Sequence, residues 1–174
     1  TKNASWGKSI ENEYEFAPIS YFHKSNNAPN TRPSHAAEIH HSIYAQHPEI
    51  NCVIIAQPPY ATSFCISCKP FNSHGLPESH LILGEVPSLP FESLHDKGIA
   101  IAQALDPSSH HTSSVLVNNF GVVSVGESAI KAYVQVEVCE SSCGVLLTAM
   151  RRGDPLLLNN AQVKEIDEMF HDTH

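Results

Sequence analysis

The sequence has few positive charges and no long apolar run, and each shortage excludes a class of protein. Ten Lys and Arg residues stand against eighteen Asp and Glu residues, which gives a formal net charge of −8. A nucleic-acid-binding surface needs clustered positive charge, and the only basic doublet is Arg151-Arg152. The longest apolar run, Cys52 to Ala56, is much shorter than a membrane-spanning helix. We therefore expect neither a nucleic-acid partner nor a membrane span.

Several sequence signatures of catalysis and redox chemistry are also missing. The chain has no Gly-rich phosphate loop and no Gly-x-Ser-x-Gly elbow. Its five cysteines have no disulfide-framework spacing, which favours reduced thiols and a cytoplasmic protein. Cys65-x-x-Cys68 lacks the second pair that a structural zinc site needs, because Cys139 and Cys143 are spaced by four residues on one predicted helix. Cys65 falls near the end of its short predicted helix, so we interpret these residues as buried thiols and not as a redox pair.

What remains is a chain of 174 residues, 41% hydrophobic, with the size and composition of one globular domain over residues 1–174. Residues 1–33 are polar and atypical, and they predict at most one or two strands joined by loops. Short apolar strands alternate with amphipathic stretches, which predicts an α/β domain with a mostly antiparallel sheet. The predicted helices are 34–46 (capped by Ser34), 60–66, 93–105, 126–150 and one capped by Asn160, and the predicted strands are 52–56, 81–83, 114–117 and 122–125.

Three segments carry a resemblance to a known family. Pro33-Ser34, followed by Ile39-His40-His41-Ser42-Ile43-Tyr44, resembles the pattern Pro-Ser-Ser-Glu, three residues, His, three residues, Tyr. Residues 52–62 resemble a strand that closes in His-Thr-His-Pro before a Tyr-Ala-Thr helix start, and residues 119–128 resemble an Asn-His-Gly turn and its following strand. In order and spacing the three segments are similar to the class II aldolase/adducin family. The resemblance covers roughly residues 33–150 and implies a three-layer α/β/α fold.

The resemblance also implies which positions should carry the chemistry, and this chain departs from all of them. In the family a Glu serves in acid/base chemistry and three His side chains bind a divalent metal, usually zinc. The matching positions here are Ala36 for the Glu and Ile55, Gln57 and Phe120 for the three His. Ala cannot transfer a proton, Ile and Phe have no lone pair to donate, and Gln alone is a poor zinc ligand. We therefore expect no catalytic residue, no metal ligand and no cofactor at these positions.

The phosphate-binding part of the family pattern is also incomplete. Family members hold a substrate phosphate with the two Ser of Pro-Ser-Ser and with Gly-Asn and Thr-Gly motifs nearer the N-terminus. Here only Ser34 matches, the second Ser is His35, and the N-terminal motifs are not recognisable. We expect at most a residual ligand cleft formed by Ser34, His35, Gln57 and Asn119, in a fragment of a longer protein or a pared-down domain.

Twelve histidines leave a relocated metal site open as an alternative. His74 and His80 lie in the Pro-rich segment, which we expect near the former active site, with Glu78 and Glu85 close in sequence. Surface or satisfied core histidines are the simpler interpretation, and the two carboxylates have no partner base. The neighbours in the pair His40-His41 do not share a helix face, and we expect the pair His110-His111 in a loop.

The leading hypothesis is a catalytically inactive aldolase-like domain that acts in assembly or protein interaction, as adducin heads show that the family permits. Because class II aldolases commonly form cyclic tetramers, the resemblance implies a homo-oligomer, with tetramer favoured over dimer. An enzyme that cleaves or epimerises sugar phosphates with an altered metal site is the rival hypothesis, and a module that binds a small sugar-like ligand is the third. Finally, we expect Phe120, Ile55 and Ala36 to pack together where the family holds its metal.

Overall fold

A computed structural model describes residues 36–67, 69–107 and 112–170. Within these residues the sheet has four strands in the order β1-β4-β3-β2. Strand β4 pairs antiparallel with β1 and with β3, whereas the short edge strand β2 pairs parallel with β3. The prediction of a mostly antiparallel sheet is therefore confirmed, with one parallel edge that makes the sheet mixed. The strands are β1 (Cys52–Ala56), β2 (Ser88–Leu89), β3 (Ser114–Val117) and β4 (Gly121–Gly126).

Helices cover both faces of this sheet. Along the described part of the chain no helix is long and apolar enough to cross a membrane. Two short 3-10 turns, Ser73–Gly75 and Phe91–Leu94, lie between the helices. The α-helices are α1 (Ala37–Gln46), α2 (Pro59–Ile66), α3 (Pro77–Leu83), α4 (Ile99–Ala104), α5 (Ala129–Met150) and α6 (Asn160–Phe170).

The side chains of the two central strands alternate between two hydrophobic clusters, because successive residues of a strand point to opposite faces. Val115 and Val123 belong to a first cluster that includes Ile39 and Ile43 of α1. Leu116 belongs to a second cluster with side chains of α2, α3 and α5. Burying one such aliphatic side chain contributes about 1.5–3 kcal/mol. The sheet therefore lies between two helical layers, and the predicted three-layer α/β/α fold is confirmed.

The predicted strand over Leu81–Leu83 is wrong, since these residues end helix α3. Pro77 stands at the first helical position and Glu78 in the first turn, where both favour a helix N-terminus. Leu83 is fully buried against the second cluster. A run of three apolar residues could not distinguish a strand from a buried helical turn. The actual strand of this segment is β2.

The predicted helix over residues 93–105 is wrong in its extent. Lys97 and Gly98 have φ angles of 65° and 80°, and this left-handed backbone separates the 3-10 turn from helix α4. Asp96 stabilises the break, because its carboxylate accepts hydrogen bonds from the backbone N–H of Gly98 (3.1 Å) and Ala100 (3.0 Å). Only the last part of the predicted helix is therefore α-helical.

Helices α5 and α6 begin within a few residues of their predicted starts. Helix α5 begins at Ala129, where the Ser128 hydroxyl accepts a hydrogen bond from Lys131 N–H. Helix α6 begins at the predicted place, but Asn159 and not Asn160 supplies the capping side chain. The predicted cap of α1, Ser34, lies outside the described residues. For the same reason, the assignment of residues 1–174 to one domain stays a prediction.

Candidate functional site

Two of the positions singled out by the sequence meet at one end of the paired strands β1 and β4. Gln57 follows β1 directly, and Phe120 lies in the turn between β3 and β4. The antiparallel register pairs Ala56 with Val122. Gln57 therefore lies next to Gly121, the residue that follows Phe120. The Gln57 side-chain amide donates a hydrogen bond to the backbone carbonyl of Phe120 at 2.7 Å. The amide nitrogen of Gln57 is therefore used to fix the turn.

The turn that carries Phe120 is fixed by backbone constraints on several sides. Asn119 has a φ of 56°, a left-handed conformation that Asn tolerates better than most residues. Its N–H donates to the carbonyl of Cys65 at the end of α2. Gly121 has a φ of 147°, and a Cβ there would collide with the carbonyl oxygen of Ala56. The close approach of β1 and β4 therefore requires glycine at this position.

Ile55 and Phe120 both pack, half-buried, against the first hydrophobic cluster. Ala36 precedes helix α1, which contributes Ile39 and Ile43 to the same cluster. Ile55 and Phe120 thus share one apolar environment, as expected for side chains that fill a pocket. The more specific expectation, that Ala36 packs with Ile55 and Phe120 where the family holds its metal, stays a prediction.

The predicted ligand cleft is described only in part. Gln57 and Asn119 are both exposed and lie on either side of Phe120 in the same turn region. Ser34 and His35 fall outside the described residues. The structure thus brings together two of the four polar residues of this cleft.

A helix-capping contact that sequence reasoning missed lies at the start of α2, close after Gln57 in sequence. The two carboxylate oxygens of Glu140, on α5, accept hydrogen bonds from the backbone N–H of Tyr60 (3.0 Å) and Ala61 (2.8 Å). A carboxylate is stabilising here because the N-terminus of a helix carries partial positive charge. The partners are 80 and 79 residues apart, so no local signal could reveal the contact.

Two titratable side chains of α1 are shifted by their surroundings. Burial lowers the pKa of His40 to about 4 and raises the pKa of Tyr44 to about 12. Their rings make an edge-to-face contact with centroids 6.4 Å apart. Both groups are neutral near pH 7, which suits packing better than proton transfer.

The cysteines of the described chain are free and buried. Burial raises the pKa of the Cys65 thiol to about 11, and its sulfur lies 3.5 Å from the carbonyl oxygen of Gly121. A hydrogen bond with Cys139 raises the pKa of Cys143. Thiols with raised pKa values are poor nucleophiles at neutral pH. The interpretation as buried thiols is confirmed for these residues, whereas Cys68 lies outside the described part.

His74 and His80, the alternative metal ligands, lie close together with ring centroids 5.3 Å apart. His80 also contacts a carboxylate that the sequence did not indicate, because its Nε2 lies 2.7 Å from Asp167 Oδ1 on α6. Glu78 and Glu85 are exposed. Across residues 36–67, 69–107 and 112–170, no group of three or more His, Cys, Asp or Glu side chains is arranged to hold a metal ion. His110 and His111 are outside these ranges.

Comparison with known proteins identifies the class to which this scaffold belongs. The family model described as the Class II Aldolase and Adducin N-terminal domain matches residues 12–147. The match covers most of the chain, and the protein therefore belongs to the class II aldolase and adducin family. A sequence comparison with curated proteins gives no significant match.

Solved structures of this family share the fold. YgbL from Escherichia coli, described as a candidate aldolase, epimerase or decarboxylase, superposes with a TM-score of 0.63 at 19% identity, covering 78% of this chain and 66% of that one. An L-fuculose 1-phosphate aldolase from Glaciozyma antarctica gives 0.62 at 23% identity, covering 76% and 49%. A sugar-phosphate aldolase from Thermotoga maritima gives 0.58 at 20% identity, covering 71% and 57%. At these identities the likeness establishes the fold, and the chain spans only half to two thirds of these relatives.

The residues that the resemblance matches to the family's metal positions do not fit a zinc ion. Ile55 and Phe120 lack donor atoms and pack against a hydrophobic cluster. Gln57 offers one amide oxygen, and its amide nitrogen is engaged with the Phe120 carbonyl. Zinc sites are built from several Cys, His or carboxylate ligands. These positions therefore supply no such set.

Proposed function

We propose that this domain is a catalytically inactive member of the class II aldolase fold that acts in assembly or protein interaction. The observation that carries the proposal is the apolar environment of Ile55 and Phe120, which pack on the first hydrophobic cluster. The reaction of an aldolase needs a metal to polarise a carbonyl and a carboxylate to move a proton. Ile55, Phe120 and Ala36 can perform neither task.

The surface supports an interaction role. Ile130 and Tyr133 are spaced by three residues on α5 and are 77% and 55% exposed. Residues at this spacing are neighbours on one helix face. On the same helix Val145 is 46% exposed, next to Gly144, where the ring of Tyr60 packs. Exposed aromatic and aliphatic side chains of this kind are typical of protein interfaces.

The partner we propose is first a second copy of the chain. Relatives of this class commonly assemble as homo-oligomers, and we favour a tetramer over a dimer. Other domains of a longer polypeptide are the second kind of partner. The buried free thiols suit a reducing, cytoplasmic environment.

A small-ligand role is the second candidate, and the exposed side chains of Gln57 and Asn119 favour it. They present amide groups on either side of the Phe120 turn, and amides can hydrogen-bond the hydroxyls of a sugar. A sugar that binds there should raise the melting temperature in proportion to the logarithm of its concentration. Gln57→Ala should remove that shift, while Gln103→Ala, exposed on α4, should leave it unchanged.

The proposed inactivity is tested by metal content and by an aldolase assay. Protein purified without a His-tag and dialysed against a chelator should retain no stoichiometric zinc and should cleave no sugar phosphate. An active L-fuculose 1-phosphate aldolase, assayed in parallel, verifies the assay. Cleavage of a sugar phosphate by this chain, or about one zinc per chain after dialysis, would contradict the proposal.

A further inference from the structure

A buried imidazole outside the family's active-site positions is oriented by a carboxylate. His80 on α3 has a side chain only 17% exposed, and its Nε2 lies 2.7 Å from Oδ1 of Asp167 on α6. A carboxylate only accepts hydrogen bonds, so in the neutral ring Nε2 carries the proton and donates it to Asp167. Nδ1 then has a free lone pair.

That lone pair has no protein partner. His80 Nδ1 is buried and makes no hydrogen bond with any residue that the structure describes. A buried acceptor without a partner is destabilising, and each such atom in a protein calls for an explanation. Carboxylate–imidazole pairs of this form are the usual outer support of a metal-binding histidine, because the carboxylate fixes the tautomer and turns the other nitrogen towards the ion.

A second imidazole, that of His74, lies beside the His80 ring in an edge-to-face contact. The rings of His74 and His80 have centroids 5.3 Å apart and an interplanar angle of 80°. With nitrogen–zinc bonds of about 2.0–2.1 Å, two imidazoles on one tetrahedral ion have ring centroids about 5 Å apart. The centroid spacing is therefore compatible with both imidazoles binding one ion.

The chain on either side of both histidines is held by the surrounding structure. Helix α3 is joined to α5 by a buried hydrogen bond between the hydroxyls of Ser79 and Ser142. On the turn that carries His74, the Ser73 hydroxyl donates to Gly84 O at 2.6 Å. Leu158 N–H donates to His74 O at 2.9 Å, which connects this turn to the segment leading into α6.

We propose that His74 and His80 bind one divalent transition-metal ion, with Asp167 as the outer carboxylate and water completing the coordination. Imidazole donors suit zinc, nickel and copper, and we expect zinc to serve as a probe. The site has two protein ligands, which agrees with the lack of any three-residue cluster among the described residues. A chelator should therefore remove the ion from this two-histidine site. Through Asp167, the site connects α6 to α3.

Calorimetric titration of Zn²⁺ into the chelator-dialysed, untagged chain tests the site. We expect one equivalent to bind the wild-type chain. His74→Gln and His80→Gln should each weaken this binding by at least tenfold, and Asp167→Asn by about 10–100-fold. His95→Gln is the matched control, because His95 is exposed on another part of the surface. Circular dichroism of each variant checks that it is folded, and His74→Gln, at a half-buried position, remains informative if His80→Gln unfolds.

Three results would overturn this site. They are no zinc binding by the wild-type chain, unchanged binding by His74→Gln and His80→Gln, and an equal loss of binding in His95→Gln. The test is separate from that of the proposed inactivity. Aldolase activity would contradict the inactive-domain proposal without affecting the two-histidine site. A lack of zinc binding would contradict the two-histidine site without affecting the inactive-domain proposal.

Discussion

Replacing Phe120 by Ala measures whether this position, which the resemblance matches to a metal-binding His of the family, is part of the hydrophobic core. Removing a fully buried Phe costs about 3–5 kcal/mol, whereas a surface change costs less than about 0.5 kcal/mol. Phe120 is half-buried and packs on the first cluster from one side. We therefore expect Phe120→Ala to lower the free energy of unfolding by about 1.5–3 kcal/mol. Urea-unfolding curves of the wild type and the variant provide the measurement.

Two further variants make this prediction specific. Phe91→Ala removes the same side chain from an exposed 3-10 turn and should cost no more than about 0.5 kcal/mol. A double-mutant cycle of Phe120→Ala with Ile55→Ala should give a coupling energy of about 0.5 kcal/mol or more if the two side chains share a pocket. A near-zero cost for Phe120→Ala would refute the reasoning. It would mean that the cleft is open, and the ligand-binding candidate would gain.

Three other predictions concern pH, capping and assembly. The pKa of His40 is about 4 in the folded chain against 6.5 in the unfolded chain, so the unfolded state binds the proton more tightly, and stability should fall from pH 6.5 to pH 4. In the wild-type protein the free energy of unfolding should fall by at most about 3 kcal/mol over this pH range. Denaturant titrations of His40→Gln across the same range should not show this fall. Glu140→Gln should cost about 1 kcal/mol in urea unfolding because it removes the charge at the start of α2, and Glu137→Gln, exposed on the same helix, should cost almost nothing. Light scattering should detect a homo-oligomer, and a monomer at high micromolar concentration would rule out the proposed self-association.

The elements that the sequence predicted well are those whose signal is local. Strand β1 was predicted to the residue because Cys52–Ala56 is a continuous apolar run that ends before two prolines. Helix α5 was predicted because it is long and bounded by a capping Ser and by Gly153. The prediction failed over Leu81–Leu83, where three apolar residues fit a strand as well as a helical turn. It also failed at Lys97, whose left-handed backbone has no sequence signature of its own.

For the candidate site, too, some contacts were predicted from the sequence and others were missed. The proximity of Gln57 and Phe120 followed from the resemblance, because strand pairing brings the two motifs together. The contacts of Glu140 with α2 and of Asp167 with His80 could not be predicted. In both, partners about 80 residues apart meet only through the packing of helices. Sequence reasoning therefore identified the strand ends of the candidate site and missed these side-chain contacts between distant helices.

The turn at Phe120 is held in place by contacts within the chain. The turn is held by the pairing of β1 with β4, by the Gln57 amide, and by the hydrogen bond from Asn119 to Cys65. None of these contacts uses a metal ion, and the close approach at Gly121 depends on backbone alone. Ile55 and Phe120 add apolar packing to the same edge. Hydrogen bonds and apolar packing within the chain therefore hold this sheet edge in place, which is what the proposed role in assembly requires of the scaffold.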